Sequence, residues 1–343
     1  MLIYGAGAVG SLLGGILAGA GYAVTLLGRR QSLQAIERDG LTVQVQHRLL
    51  RTYPRVVHSF KEIDEPFDVV LLTLRAFGVE SALAGIPPVL GKDGVLLSLQ
   101  NGIGTEELIE RELPDVYHVA GSLTLSADIP SPGLVTSSSR SGGIALAAVS
   151  PGAPVEWTAE LFRGGDVPVS VHRDARSMKW SKLLLNQMAN GIPAILDWTP
   201  GQLYRHPHVF QIELALLRET LRVIQADGAS LVLLPGFNVP LLRWVLAMPP
   251  WIARRLLLSR VEGGRGEKLP SLLIDLRAGR RKIEARWLYG AVAECGDRLG
   301  VPAPLNRRVH RILDAIAVNP DLRAAFRNRP DRLTRNIVLR CRE

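Results

Sequence analysis

The chain is 343 residues long, 47% apolar and 21% charged, the composition of an ordinary soluble protein. That length exceeds what one hydrophobic core commonly fills, so two domains are expected. The net charge of +9 is unevenly placed: residues 1–172 carry 12 Lys+Arg against 17 Asp+Glu, and residues 173–343 carry 29 against 15. A basic half can hold a nucleic acid, but these arginines are scattered through predicted helices without aromatic platforms between them. No nucleic-acid partner is therefore expected, and a positive field that attracts small anions is a sufficient reading. Cys295 and Cys341 lie 46 positions apart, which fits neither a disulfide framework nor metal-ligand spacing. No metal is expected, and a reducing cytoplasm is the assignment.

The chain opens as a nucleotide-binding unit. Met1 to Tyr4 is a short apolar strand, and Gly5-Ala6-Gly7-Ala8-Val9-Gly10 is a G-x-G-x-x-G turn. Ser11 to Ala20 reads as a small-residue helix and Ala23 to Gly28 as a second strand. The first glycine permits the tight turn, the second lets the backbone approach a pyrophosphate, and the third packs helix on sheet. The pyrophosphate then lies over the positive end of the helix. An NAD site usually carries an acid at the end of the second strand, whereas this chain has Gly28-Arg29-Arg30. A guanidinium binds a 2′-phosphate where a carboxylate would repel it, so NADPH is the expected cofactor.

Phe67 to Leu74 and Gly94 to Gln100 are near-continuous apolar strands of the kind buried on both faces of a parallel sheet. Their C-terminal ends should reach the sheet edge of the glycine turn, which puts Arg75 and Asn101 beside the cofactor. From Leu123 to Val171 short β-like runs with Gly, Ser and Pro turns read as antiparallel strands finishing the first domain. Beyond His172 the strand signals stop. Met178–Asn190, Gln211–Ala226, Ser271–Arg277, Ile283–Arg298 and Asn306–Ala317 read as helices, with the active site expected in the cleft between the domains.

Two apolar runs need a separate reading. Leu12 to Ala20 imitates a signal-peptide core, but a nucleotide turn precedes it instead of a basic segment. Leu241 to Leu258 is interrupted by Arg243, Arg254, Arg255 and Pro249-Pro250, which argues against a membrane span.

On the helix from Met178, Lys182, Asn186 and Asn190 recur at i, i+4 and i+8, within about 80° of one another. Two carboxamides and an ammonium in one stripe suit a ligand bearing carbonyl, carboxylate or hydroxyl groups. A solvent-facing stripe is the alternative that the residues alone leave open.

Taken in order, these pieces resemble the ketopantoate reductases (2-dehydropantoate 2-reductases) along essentially the whole chain. The matching segments are Gly5 to Gly10, Thr73-Leu74-Arg75-Ala76, Leu99 to Gly104, Lys182 to Asn186 with Asn190, Ser271 with Asp275, Glu284, and Gly300 to Asn306. The resemblance implies an α/β fold: a Rossmann-like NADP-binding domain over residues 1–172, then an all-helical, 6-phosphogluconate-dehydrogenase-like substrate domain over 173–343. It implies that Gly5, Ala6, Gly7, Ala8, Val9 and Gly10 bind the pyrophosphate and that Arg29 faces the 2′-phosphate. Arg75 takes the place of a family lysine near the cofactor phosphates. Asn101 lies where nicotinamide and substrate meet, and Ala127 matches a backbone contact to the cofactor. Lys182 matches the catalytic acid, Asn186 and Asn190 the substrate amides, and Ser271 a substrate-binding hydroxyl. Glu284 matches a carboxylate that contacts the cofactor and neighbours the lysine.

The implied reaction is NADPH-dependent reduction of a small anionic 2-oxo acid to a 2-hydroxy acid, with ketopantoate, on the route to pantothenate and coenzyme A, as the first expectation. Several positions depart from the family pattern: Arg75 for lysine, Lys268 where Asn is frequent, Pro200 where another Asn can occur, and Arg286-Trp287-Leu288-Tyr289 after Glu284. The stretch Val239–Arg265 is longer and more apolar than ketopantoate recognition requires, and an apolar lid or a homodimer surface is expected for it, with plain core as the alternative. Two other functions stand beside the first: a reductase of the same architecture for a bulkier or more apolar 2-oxo acid or ketone, and a non-catalytic NADP(H)-binding regulator.

Overall fold

The computed structural model describes residues 1–139, 141–262 and 269–338. Lys268 and Cys341 lie outside the described residues. The chain divides into two compact units, the first comprising 1–100, 104–179 and 233–237, the second 101–103, 180–232 and 238–343.

The first unit begins with β1 (Leu2–Tyr4), α1 (Ala8–Gly19), β2 (Thr25–Leu27), α2 (Arg30–Asp39), β3 (Leu41–Val45), β4 (Arg48–Thr52) and β5 (Arg55–Val57). It continues through β6 (Phe67–Leu72), α3 (Val79–Leu83), β7 (Leu90–Ser98), α4 (Thr105–Glu112) and β8 (Tyr117–Leu123). It closes with β9 (Asp128–Ser131), β10 (Leu134–Ser137), β11 (Ile144–Ala148), α5 (Val155–Gly164) and β12 (Val169–His172). Eight strands form one sheet in the order β12-β11-β8-β7-β6-β1-β2-β5. From β5 to β8 every pairing is parallel, so β1, β6 and β7 bring their C-terminal ends to one edge. Strand alternation sends Ile3, Leu26, Val69, Leu71 and Leu97 into one core and Leu2, Leu27, Val70, Leu72 and Leu96 into the other. Both faces are buried, which is why these strands read as unbroken apolar runs.

The end of this unit differs from the expected antiparallel finish. β11 is antiparallel to β8, but β12 is parallel to β11, and α5 makes the connection between them. β9 and β10 form a hairpin that joins β3 and β4 in a separate four-stranded sheet. That sheet packs on α1: a Cβ at Gly15 would meet Val43 at 2.2 Å, and one at Gly19 would meet Leu50 at 2.2 Å.

The second unit is helical. It contains most of α6 (Ala175–Gln187), then α7 (Gly191–Leu196), α8 (Pro200–Arg205), α9 (Pro207–Ala226), α10 (Val239–Ala247) and α11 (Pro250–Glu262). α12 (Ser271–Arg277), a π-helical turn at Arg286–Gly290, α13 (Ala291–Arg298), α14 (Pro304–Val318), α15 (Pro320–Phe326) and α16 (Pro330–Val338) complete it. The helix expected over Met178–Asn190 is broken: α6 stops at Gln187, Ala189 adopts a φ of 51°, and Asn190 caps α7. Pro193 has no N–H to offer Ala189, so a continuous helix would lose a hydrogen bond there, whereas the first turn of a new helix tolerates proline. Among the described residues no helix is long and apolar enough to cross a membrane. The apolar stretch from Val239 folds as two helices that bury Leu242, Val245, Ala253 and Leu257 and leave Trp244 and Trp251 exposed.

Candidate functional site

The glycine turn has the geometry that a dinucleotide requires. Gly5 sits at φ 116°, and the Thr73 hydroxyl donates to its carbonyl at 2.7 Å. A Cβ at Gly10 would lie 2.1 Å from the Gly5 oxygen and 2.6 Å from Thr73 Oγ1, so that glycine is demanded by packing. At Gly7 an added Cβ would meet nothing within 4 Å. The protein's own packing therefore leaves Gly7 open, as close approach of a ligand would need. Gly7 caps α1, whose first turn has neither a side-chain cap nor an acidic residue, so no side chain competes with an anion for its N–H groups. Replacing Gly10 by Ala is expected to prevent folding of the first unit. Gly7→Ala is expected to leave the melting temperature within about 2 °C while raising the dinucleotide Kd about tenfold or more, measured by melting and fluorescence titration.

The remaining first-unit candidates are arranged around that edge. Arg29 caps α2 at the end of β2, and both Arg29 and Arg30 are exposed. Arg75 lies three residues past β6 and opens a short 3-10 turn. Ala127 is half-buried against the first core, in a segment braced where Ser126 N donates to Ser139 Oγ at 2.8 Å and Ser138 N donates to Ser126 Oγ at 3.0 Å.

In the second unit four candidates form one connected chain. Asn186 Nδ2 donates to Asn101 Oδ1 at 2.9 Å. Asn190 Nδ2 donates to the Asn186 carbonyl at 2.8 Å and to Ser271 Oγ at 3.4 Å, while its Oδ1 accepts from Leu272 N at 3.2 Å. Lys182, half-buried, precedes Asn186 by one turn of α6. Glu284 is buried just before the π-helical turn. The Asn101 loop is seated on that turn: Ile103 N donates to the Trp287 carbonyl at 3.3 Å, and a Cβ on Gly102 would strike the same oxygen at 2.3 Å. Gly102, at φ 88°, is thus the residue that the docking needs.

Two groups that brace the broken helix escaped sequence reasoning. Glu213 Oε1 accepts the Ala189 N–H at 2.6 Å from inside the core. The Tyr289 hydroxyl accepts the Gly191 N–H at 2.7 Å and donates to the Gln187 carbonyl at 3.3 Å. Burial pushes the Glu213 carboxyl up to about 8, against a smaller opposing effect of the Ala189 hydrogen bond, so at neutral pH it is largely a neutral acid. Burial also raises the Tyr204 and Tyr289 phenols beside it. A lone acid in the apolar run Val209 to Leu217 was the visible signal for Glu213; Tyr289 was marked only as a departure from the family pattern after Glu284.

Residues 1–151 match the family described as ketopantoate reductase PanE/ApbA, and residues 174–317 match the ketopantoate reductase PanE/ApbA C-terminal family. The chain is similar to a 2-dehydropantoate 2-reductase of Pyrococcus horikoshii, 29% identical over 89% of this chain and 93% of that one. Among solved structures it is similar to a PanE/ApbA family ketopantoate reductase from Ralstonia eutropha JMP134, with TM-score 0.78 and 28% identity over 94% of this chain and 100% of that one. It shares its fold with a D-mandelate dehydrogenase solved with NADH and anilino(oxo)acetate, with TM-score 0.79 and 23% identity over 94% of this chain and 99% of that one.

Proposed function

The chain belongs to the ketopantoate reductase family, and from that premise we propose that it reduces ketopantoate to pantoate with NADPH. The observation that carries the reading is the continuous chain Asn101–Asn186–Asn190–Ser271, built on the helix that also bears Lys182. A bound nicotinamide would supply a hydride to the carbonyl carbon of the 2-oxo acid. Gly5 to Gly10 and the open N-terminus of α1 would hold the pyrophosphate of that cofactor, Arg29 its 2′-phosphate, and Arg75 its phosphates. Ala127 would give it a backbone contact. Negative charge develops on the substrate's carbonyl oxygen, and Lys182 as ammonium stabilises it and donates the proton that completes the alcohol. Glu284 would orient Lys182 and meet the cofactor. Asn101, Asn186 and Ser271 orient the substrate's polar groups.

The test is the initial rate of NADPH oxidation with ketopantoate beside NADH. Fast turnover with NADPH alone supports the reading; bound NADPH with no turnover of any 2-oxo acid makes the chain a regulator instead. Arg29→Ala is expected to raise the KM for NADPH about ten- to a hundredfold and leave that for NADH unchanged, since one charge-assisted pair is removed.

A second reading is favoured by Asn190. Its amide is 6% exposed and already committed to Asn186, Ser271 and Leu272, which leaves fewer donors for a hydroxylated substrate. A bulkier, less hydroxylated 2-oxo acid is therefore the alternative. Comparing kcat/KM for ketopantoate and for aromatic 2-oxo acids decides between them.

A further inference from the structure

Lys179 is buried, as is the carboxylate it meets. Its Nζ lies 2.8 Å from Glu106 Oε1, with the two side chains 4% and 9% exposed. The same ammonium donates to the Gln100 carbonyl at 2.5 Å. Ser98 Oγ donates to Glu106 Oε1 at 3.1 Å, and His118 Nε2 lies 2.9 Å from Ser98 Oγ. Because the single Ser98 proton goes to Glu106, His118 must be the donor to Ser98, which fixes its proton on Nε2. Burial lowers His118 to about 4, so it stays neutral in this network. Gln100 in turn commits its own amide to the neighbouring strand end: Nε2 donates to the Leu72 carbonyl at 2.8 Å and the Leu74 carbonyl at 3.0 Å.

A buried ion pair is a poor source of stability, because desolvating both charges offsets their attraction, and well-packed apolar residues of similar volume often do as well. What this pair does uniquely is hold one carbonyl. The Gln100 C=O and the Asn101 N–H belong to the same rigid peptide plane. Clamping that oxygen sets the orientation of the peptide from which Asn101 extends. Through the Gln100 amide the same point also anchors the segment leading to Arg75. Lys179 itself lies three residues before Lys182 in α6.

The geometry points to Lys179 as a positioning residue for the reduction: it fixes the Gln100–Asn101 peptide so that the Asn101 amide is pre-aligned for nicotinamide and substrate. Glu106, oriented by Ser98 and His118, holds the ammonium aimed at that carbonyl. The inference rests on the proposed function insofar as Asn101 serves the reaction.

The test is the double variant Lys179→Met/Glu106→Gln, which removes both charges together and leaves no unpaired ion behind. The expected result is an NADPH Kd within about threefold of the wild type and a kcat on ketopantoate about a hundredfold lower, the scale of loss that a misplaced reacting group produces. KM should change far less than kcat, and hydrogen exchange at the Leu99 and Ile103 amides should accelerate while Val95 to Leu97 stay protected. If the double variant does not fold, Lys179→Arg, which keeps the charge beside Glu106 but changes the reach to the Gln100 carbonyl, gives the same readouts. Wild-type kcat in a variant that binds NADPH, or exchange accelerated evenly over the whole first unit, overturns the inference. If the wild-type protein does not reduce ketopantoate, the proposed function fails instead, and the exchange pattern still decides the role of Lys179.

Discussion

Replacing Lys182 by alanine is expected to lower kcat for ketopantoate reduction about a thousandfold, while the NADPH Kd stays within about threefold of the wild type. Hydride addition places a full charge on the carbonyl oxygen, and no other candidate of the second unit is both cationic and on the polar stripe. Asn101, Asn186 and Ser271 can orient the substrate, but an amide or hydroxyl is too weak an acid to give up a proton at neutral pH. The loss corresponds to about 4 kcal/mol of transition-state stabilisation, within the range for removing a proton donor together with its charge. Single-turnover rates with preformed NADPH complex, beside fluorescence titration of the cofactor, check it. A variant that keeps more than about a tenth of the wild-type kcat would show that water or another group supplies the proton.

Glu213→Gln is expected to change the pH dependence of stability more than its magnitude at any one pH. The folded carboxyl titrates near 8 and the unfolded one near the ordinary 4.5, because burial disfavours the charged form. A raised folded value means that folding takes up a proton between those limits. The stability is therefore fully present below 4.5 and lost as the pH rises to 8, with a slope of up to ~1.4 kcal/mol per pH unit. The phenols facing Glu213, Tyr204 and Tyr289, are themselves raised by burial and do not ionise in this window. The glutamine still accepts the Ala189 N–H but brings an amide NH₂ into a place where Glu213 Oε2 already has no partner. The variant should be less stable than the wild type at pH 5 and more stable at pH 8, the two curves crossing between. Urea unfolding followed at several pH values checks this; parallel curves would remove Glu213 as their cause.

His118 acts with the opposite sign in the first unit. Its folded value near 4 lies below the unfolded 6.5, so the stability it confers is present above 6.5 and lost as the pH falls towards 4. Acid should therefore weaken the sheet unit and alkali the helical unit. Exchange protection read separately in β8 and in α9 distinguishes the two.

The dinucleotide turn was legible because its requirements are local. A tight turn, a close approach and a helix start each demand glycine at a set spacing, and Gly5, Gly7 and Gly10 stand there. The apolar runs at Phe67 and Gly94 were legible because a strand buried on both faces is filled mainly by apolar side chains, its buried polar exceptions, Ser98 and Gln100, each having a hydrogen-bond partner. The helix boundaries of Ser271–Arg277 were readable from their own residues for the same reason. What could not be read was whatever one segment supplies to another. The β3-β4-β10-β9 sheet pairs strands about 90 residues apart, and α5 lies in a stretch whose Gly, Ser and Pro turns mask its pattern. The stripe of Lys182, Asn186 and Asn190 had the right residues but the wrong backbone. The break after Gln187 depends on Tyr289 and Glu213, which reach it from distant positions. Lys179 carried no signal, since a lysine's neighbours in sequence do not say whether it meets water or a buried carboxylate. Sequence alone thus determined the fold class, the dinucleotide turn and the residue types of the polar stripe, because short-range geometry dictates them. The tertiary structure decided which amides are joined, which are already committed and what holds them in line, because those contacts form only where distant segments pack.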